Sequence, residues 1–446
     1  MKTTLIAAVE KYREQILAAE RYIWNHPETG FRETKTSEYL EREYEALGYK
    51  LVKAGDIPGF YTCVDTGKPG PEILVLGEMD ALPCPGHPQS DPKTGAVHCC
   101  GHHAQSAALL GVAAALTEPE VLKMLCGRIR LCAVPAEELI ELDYRTTLKW
   151  EGRIKYFGGK SEFLRRGYFD GVDMAFMVHT SSAEEFSINL GGVGCLAKRI
   201  DYRGVAAHAG SRPWEGKNAL YAAHVGLAGI NALRETFQEN DIIRVHPIMT
   251  YGGESVNAIP DQVHMESYVR GKTFEAIRSA NDKVNRALSA GALAMGANVE
   301  IQDIPGYAPI VNDLLLTEVA REAHSSLDIE RPFVKHEIIS SSSTDMGDLS
   351  CIMPVIHPQV PGATGSSHGD NFYIRDPELA CVTSAKWQVI MLYLLLKDNA
   401  VRAREIIDRS VPRYASKEDY FAYVDQFYCE GKRIAYEDNG FATVKL

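Results

Sequence analysis

Residues 73–83 read Ile73-Leu74-Val75-Leu76-Gly77-Glu78-Met79-Asp80-Ala81-Leu82-Pro83. The unbroken apolar run ahead of Gly77 predicts a strand buried on both faces, as in a parallel sheet covered by helices. Two carboxylates follow at once. Open α/β sheets carry their functional groups where strands end, so this stretch ties a fold to a candidate site. Taken alone, Glu78 and Asp80 are equally what a solvated loop carries.

Outward from this strand the pattern alternates. Apolar spacing predicts helices over 4–24, from Ser37 to Leu47 with Gly48 as a stop, over 105–117 and over 160–167. Strands are expected over 60–64, 128–134 and 174–178. This βαβ rhythm implies a mostly parallel sheet with helices on both faces. After Gly191-Gly192-Val193-Gly194 the rhythm changes. Residues 195–203 and 262–270 alternate in polarity like strands, and 217–236 and 273–293 read as helices. The expected class is therefore α/β. A larger domain, 1–192 and 305–446, is interrupted over 193–304 by a smaller α+β, ferredoxin-like sandwich. The segment 400–446 is polar and aromatic, carries no motif, and reads as a C-terminal extension of the larger domain.

Composition narrows the function. With 446 residues, two domains are the natural expectation. A net charge of -12 argues against nucleic acid or an anionic membrane as the main partner. The ten cysteines are scattered, with only Cys99 and Cys100 adjacent, and form no disulfide framework. Glu10, Lys11 and Arg13 cut the first apolar run too short for a signal peptide. The run 389–396 is too short to span a bilayer. A cytoplasmic protein with reduced thiols is expected.

Chemistry-bearing residues cluster in four places. Glu78 and Asp80 end the first strand. His98-Cys99-Cys100-Gly101-His102-His103 precedes a helix, and thiolate with imidazole suits zinc, manganese or cobalt. Glu137-Glu138 ends the strand over 128–134. Two adjacent buried carboxylates call for a cation, and one of them can then shuttle a proton. His179 follows another apolar strand, and His368 lies in Ser366-Ser367-His368-Gly369-Asp370. Each has an ordinary reading as a buried structural group or a surface polar residue. Together they place metal-type ligands after four strand ends of one sheet.

With Cys100-Gly101-His102, Glu137-Glu138 and His179 in that order, the chain resembles the amidohydrolase branch of the dinuclear metallopeptidase superfamily. Aminoacylase, carboxypeptidase G, auxin-conjugate hydrolases and p-aminobenzoyl-glutamate hydrolase belong to it. The resemblance spans residues 20–395. It also rests on His26-Pro27-Glu28-Thr29-Gly30-Phe31, Gly204-Val205-Ala206-Ala207-His208-Ala209, Gly252-Gly253-Glu254-Ser255-Val256-Asn257-Ala258-Ile259-Pro260 and Ser343-Thr344-Asp345-Met346-Gly347-Asp348. It implies two divalent cations per chain (Zn, Mn or Co) held by Cys100, His102, Glu138, His179 and His368. Glu137 would be general base and acid, and Asp80 would orient a ligand. From the inserted lid and dimerisation domain, His208 would stabilise the oxyanion, in its own or a partner subunit's site, while Asn257 and Arg270 would hold a substrate carboxylate. A homodimer or higher homo-oligomer through the lid is implied as well.

The chain departs from the branch at Gly101-His102-His103-Ala104-Gln105, where members often carry Gly-His-Asp-Gly-His. His103 is thus a candidate extra ligand or a supporting residue. The stretch 139–157 is longer than expected and a candidate specificity element. The implied activity is metal-dependent hydrolysis of an amide in a small N-acyl-amino-acid-like or aminobenzoyl-glutamate-like substrate. Dipeptidase or aminopeptidase activity is the nearest alternative. A non-catalytic binding protein would have no use for Glu137, and a cysteine hydrolase using Cys99 or Cys100 none for the Glu pair.

Overall fold

In the computed structural model, which describes residues 2–445, Glu72–Glu78 forms a strand buried at every position. It pairs in parallel with Arg128–Val134 on one side and Met174–Phe176 on the other. The six-stranded sheet runs Val52–Lys53, Phe60–Asp65, Arg128–Val134, Glu72–Glu78, Met174–Phe176, Val355–Ile356. Its pairings are parallel from Arg128–Val134 to Val355–Ile356 and antiparallel at the other edge. The parallel part is the part whose strand ends carry Glu78 and Glu137-Glu138.

Helix His102–Leu116 is buried along its whole length, and from Ala107 onward it carries no polar side chain. It packs on Glu72–Glu78 and against helices Arg13–Trp24 and Ser384–Leu396. The approach is close enough that a Cβ at Gly111 would meet Ile16 Cδ1 at 2.6 Å and Ala385 Cβ at 2.9 Å. Leu109, Leu110 and Leu116 fill the space around it, each contributing about 1.5–3 kcal/mol of burial. Such a packed base fixes the first turn of the helix, where the site residues sit.

The helix expected over 4–24 is two helices, Lys2–Glu10 and Arg13–Trp24. The break is tethered from outside: Lys11 Nζ lies 2.6 Å from Glu118 Oε1, and the Tyr12 hydroxyl donates to the same carboxylate at 2.8 Å. Residues Glu378–Leu396 form a 19-residue helical stretch with the length and hydropathy of a membrane span. Buried for 89% of the tested window, it is a core helix of the fold.

The chain divides into two compact units. One comprises the chain through Gly191, Val311–Ile338 and Asp348–Lys417. The other comprises Gly192–Ile310, Ile339–Gly347 and the chain from Glu418. In the second unit an antiparallel sheet runs Arg244–Tyr251, Gln262–Gly271, Gly194–Arg203, Asn298–Pro305, Cys429–Lys432. Helices Ala219–Leu233 and Phe274–Ala294 pack on it. Asn218 and Thr273 start them by accepting the amides of Tyr221 and Ala276, each at 3.0 Å.

This division differs from the sequence-based one, in which all of 305–446 belongs to the larger domain. Strand Cys429–Lys432 instead extends the second unit's sheet along Asn298–Pro305. Four residues carry too little alternation to show as a strand before their partner is known.

Candidate metal centre

Helix His102–Leu116 begins three residues earlier than its apolar spacing predicts, because Gly101 at φ +95° turns the chain directly into it. Successive helix residues diverge by about 100°, so His102 and His103 cannot serve one site. His102 Nδ1 faces the Asp80 carbonyl at 2.9 Å and Asp80 Oδ1 at 3.0 Å. With Nδ1–H donating to Asp80, Nε2 is the nitrogen left to face the donor cluster. His103 points elsewhere. Its Nε2 is 3.4 Å from Glu20 Oε1, and its ring lies 4.9 Å from that of Trp24. Among the described residues His103 joins no cluster of metal-type donors.

Asp80 does a second job. Its Oδ2 accepts the Glu138 amide at 2.8 Å, so one carboxylate fixes both His102 and the Glu pair. The turn before that pair places Ala136 at φ +56°. Its amide donates to the buried Glu33 carboxylate at 2.7 Å, which holds a conformation that L-residues rarely adopt. The stretch 139–157 contains helix Leu142–Trp150 and the fully buried Arg145, whose guanidinium donates to the carbonyls of Glu138 and Phe157. Nothing in the sequence marks Glu33 or Arg145. A charged residue looks like surface until burial is known.

Within the first unit, three overlapping groups have donor atoms within 4.8 Å of one another: Cys100, His102 and His179; Cys100, Glu138 and His368; His102, Glu137 and Glu138. Cys100 Sγ is 3.5 Å from His179 Nε2, whose ring is oriented by Nδ1–H donating to the Thr180 carbonyl at 2.7 Å. His368 lies at φ +64°, its amide donating to the Cys99 carbonyl at 2.8 Å, and its Nε2 stands 2.9 Å from Glu138 Oε1. Glu137 is 8% exposed.

The electrostatics show how much negative charge is gathered. Burial pushes the Cys100 thiol up, but His102 and His179 outweigh it and bring it to about 5. Burial likewise raises the Glu138 carboxyl, while His368 pulls it down to about 2. Glu138 in turn lifts His368 to about 11. His102 is raised against its own burial by Cys100, Glu78 and Asp80. The buried His102 Nε2 makes no hydrogen bond. Soft and hard donors with lone pairs aimed at common points fit divalent cations of the zinc, manganese or cobalt kind. Cys99 is a different case: burial pushes its thiol up to about 12, which makes it no nucleophile.

In the second unit, the backbone brings His208 and Asn257 together. His208 bridges to Ala258, and the Asn257 carbonyl accepts the Ala209 amide at 2.9 Å. His208 Nδ1 accepts the Gly210 and Ser211 amides, each at 3.1 Å, leaving Nε2 outward. Arg270 lies near the far end of strand Gln262–Gly271. It lies eight positions along the strand from Gln262, about 26 Å.

Residues 74–390 match peptidase family M20/M25/M40. The chain belongs to that family. As an M20 protein it is a metal-dependent amidohydrolase or peptidase, which sets aside the non-catalytic reading. It is 28% identical over 376 residues to a Xaa-Arg dipeptidase of Mus musculus, covering 80% of this chain and 79% of that one. It is 26% identical over 328 residues to an N-acetyl-L-cysteine deacetylase of Bacillus subtilis, covering 70% and 72%. Its fold is that of a dinuclear metal-binding M20 peptidase from Bacillus subtilis, with a TM-score of 0.63 at 21% identity over 88% of this chain and all of that one.

Proposed function

We propose that this M20 hydrolase cleaves the amide bond of a small substrate with a free carboxylate beside the scissile bond. N-acyl amino acids and aminobenzoyl-glutamate-like compounds are the class. The convergence of Cys100, His102, Glu138, His179 and His368 around Glu137 carries this reading. Those five residues would hold two divalent cations, zinc, manganese or cobalt, which supply Lewis-acid activation of water and of the scissile carbonyl. Glu137 takes the proton of the attacking water and returns it to the leaving amine. Asp80 keeps the His102 lone pair on Nε2 and holds the Glu138 backbone. His208 donates to the developing oxyanion. Arg270 grips the substrate carboxylate with two parallel hydrogen bonds, and Asn257 assists.

Within one second unit, Arg270 and the His208–Asn257 loop lie at opposite ends of a strand. Use of both by one substrate therefore calls for a second copy of the chain. The free edge strand Arg244–Tyr251 exposes Ile248, Met249 and Tyr251, and helix Ala219–Leu233 exposes Tyr221 and Val225. These support a homodimer through this unit.

A second reading, dipeptidase activity, is favoured by the likeness to the Xaa-Arg dipeptidase over 80% of the chain. A panel of N-acyl amino acids, p-aminobenzoyl-glutamate and Xaa-Arg dipeptides, assayed with and without chelator, separates the two. Chelator-sensitive cleavage of the first two classes supports the proposal. Cleavage of dipeptides alone replaces it with the second reading.

A further inference from the structure

Beside His102, a second buried carboxylate besides Asp80 has no part in the five-residue ligand set. Glu78 ends the central strand, and one of its oxygens, Oε1, is taken by the Lys160 ammonium, itself fully buried. The other, Oε2, stands 3.3 Å from His102 Nε2, and neither atom makes a hydrogen bond. Two lone-pair atoms this close, both out of water, repel each other unless a positive charge lies between them.

We propose that Glu78 is a further protein ligand of the metal centre, its Oε2 sharing a cation with His102 Nε2. The inference rests on the metal centre proposed above. Three features support it beyond the orphaned pair. Asp80 occupies His102 Nδ1 from the opposite side, so Nε2 is the ligating nitrogen and Glu78 lies beside that nitrogen. Lys160 engages Oε1 and so determines that Oε2 is the oxygen turned to the histidine. Lys160 also offsets the charge of Glu78, so the carboxylate stays ionised out of water at little cost to the net charge of the centre. Glu78 and Asp80 then grip the same imidazole from its two nitrogens, one through a cation and one through a proton.

The competing role is structural, with Glu78 serving only as counter-ion to a buried lysine. Cobalt(II) titration of the metal-stripped chain tells the two apart. Wild type, Glu78→Gln and the double variant Glu78→Gln/Lys160→Met are followed by visible absorption and by cobalt retained per chain. A ligand role predicts that Glu78→Gln weakens one of the two sites by more than about tenfold and alters the cobalt spectrum, since an amide oxygen is a weaker donor. The double variant also removes the buried ammonium that Glu78→Gln would leave facing an amide. Its thermal stability recovers while its cobalt affinity does not, which keeps the test valid if the single variant folds poorly. If the folded double variant takes two equivalents with wild-type affinity and spectrum, Glu78 is a counter-ion and the proposal is overturned. Failure of the unmutated chain to bind cobalt would overturn the metal centre itself, and this ligand with it.

Discussion

Asp80→Asn removes one charge and almost no volume from the point where two site elements meet. The carboxylate accepts His102 Nδ1–H at Oδ1, 3.0 Å, and the Glu138 amide at Oδ2, 2.8 Å. An asparagine offers one acceptor oxygen, and its amide nitrogen must then face an N–H donor. If the oxygen stays with Glu138, the imidazole meets an NH₂ at Nδ1 and shifts its proton to Nε2, where it blocks ligation. If the oxygen stays with His102, the Glu138 amide is left without its partner. A lost charge-assisted hydrogen bond in a buried setting is worth about 1.5–3 kcal/mol. At about 1.4 kcal/mol per factor of ten, that is roughly 10- to 100-fold in metal affinity. Competition against a chromophoric chelator measures it directly. The expected result is a site weakened within that range in a protein of wild-type secondary structure. Unchanged affinity for both ions would refute the claim that Asp80 fixes the His102 tautomer.

Other substitutions test the remaining roles. Glu137→Gln should keep both metals yet lose roughly 10²–10⁴ in kcat; near-normal turnover would remove Glu137 as the base. Arg270→Lys should raise KM strongly for substrates with a free carboxylate and change little for the amidated analogues; wild type cleaving acid and amide equally well would rule out the clamp. Ile248→Asp on the free edge strand should convert a dimer to a monomer by analytical ultracentrifugation, and an unaltered sedimentation profile would place the interface elsewhere. In the metal-stripped protein, Glu138 raises the His368 pKa from 6.5 to about 11, and His368 lowers that of Glu138 from 4.5 to about 2. The histidine's contribution is fully present below pH 6.5 and fades as pH rises through about 11, while the carboxylate's is present above pH 4.5 and fades as pH falls through about 2. His368→Gln should therefore lower the melting temperature more at pH 6 than at pH 10, and an equal effect at both would show that the pair is not ionised.

Where hydrophobic pattern and chemistry coincide, the sequence is legible. The apolar run over 73–76 announces a buried strand, and the carboxylates, thiol and imidazoles after the strand ends announce a shared site. The structure brings Cys100, His102, Glu137, Glu138, His179 and His368 into overlapping clusters. What stays hidden depends on facts that only packing supplies. Lys160, Arg145 and Glu33 are charged residues whose burial overrides the expectation of a solvated side chain. His103 looks like a donor because of its neighbours in the chain, but the turn of the helix sends it to Glu20 and Trp24. Strands Arg244–Tyr251 and Cys429–Lys432 lie on sheet edges, where one-sided contact leaves little alternation to read. At the break, Lys11 and Tyr12 both contact Glu118, more than a hundred positions away.

The most direct test is turnover of the best substrate by the metal-stripped chain as zinc, manganese or cobalt is added back in measured equivalents. A dinuclear hydrolase shows no turnover without metal and reaches a plateau at two equivalents per chain. Turnover in the stripped protein, or none at any equivalence with any of the three metals, would contradict it.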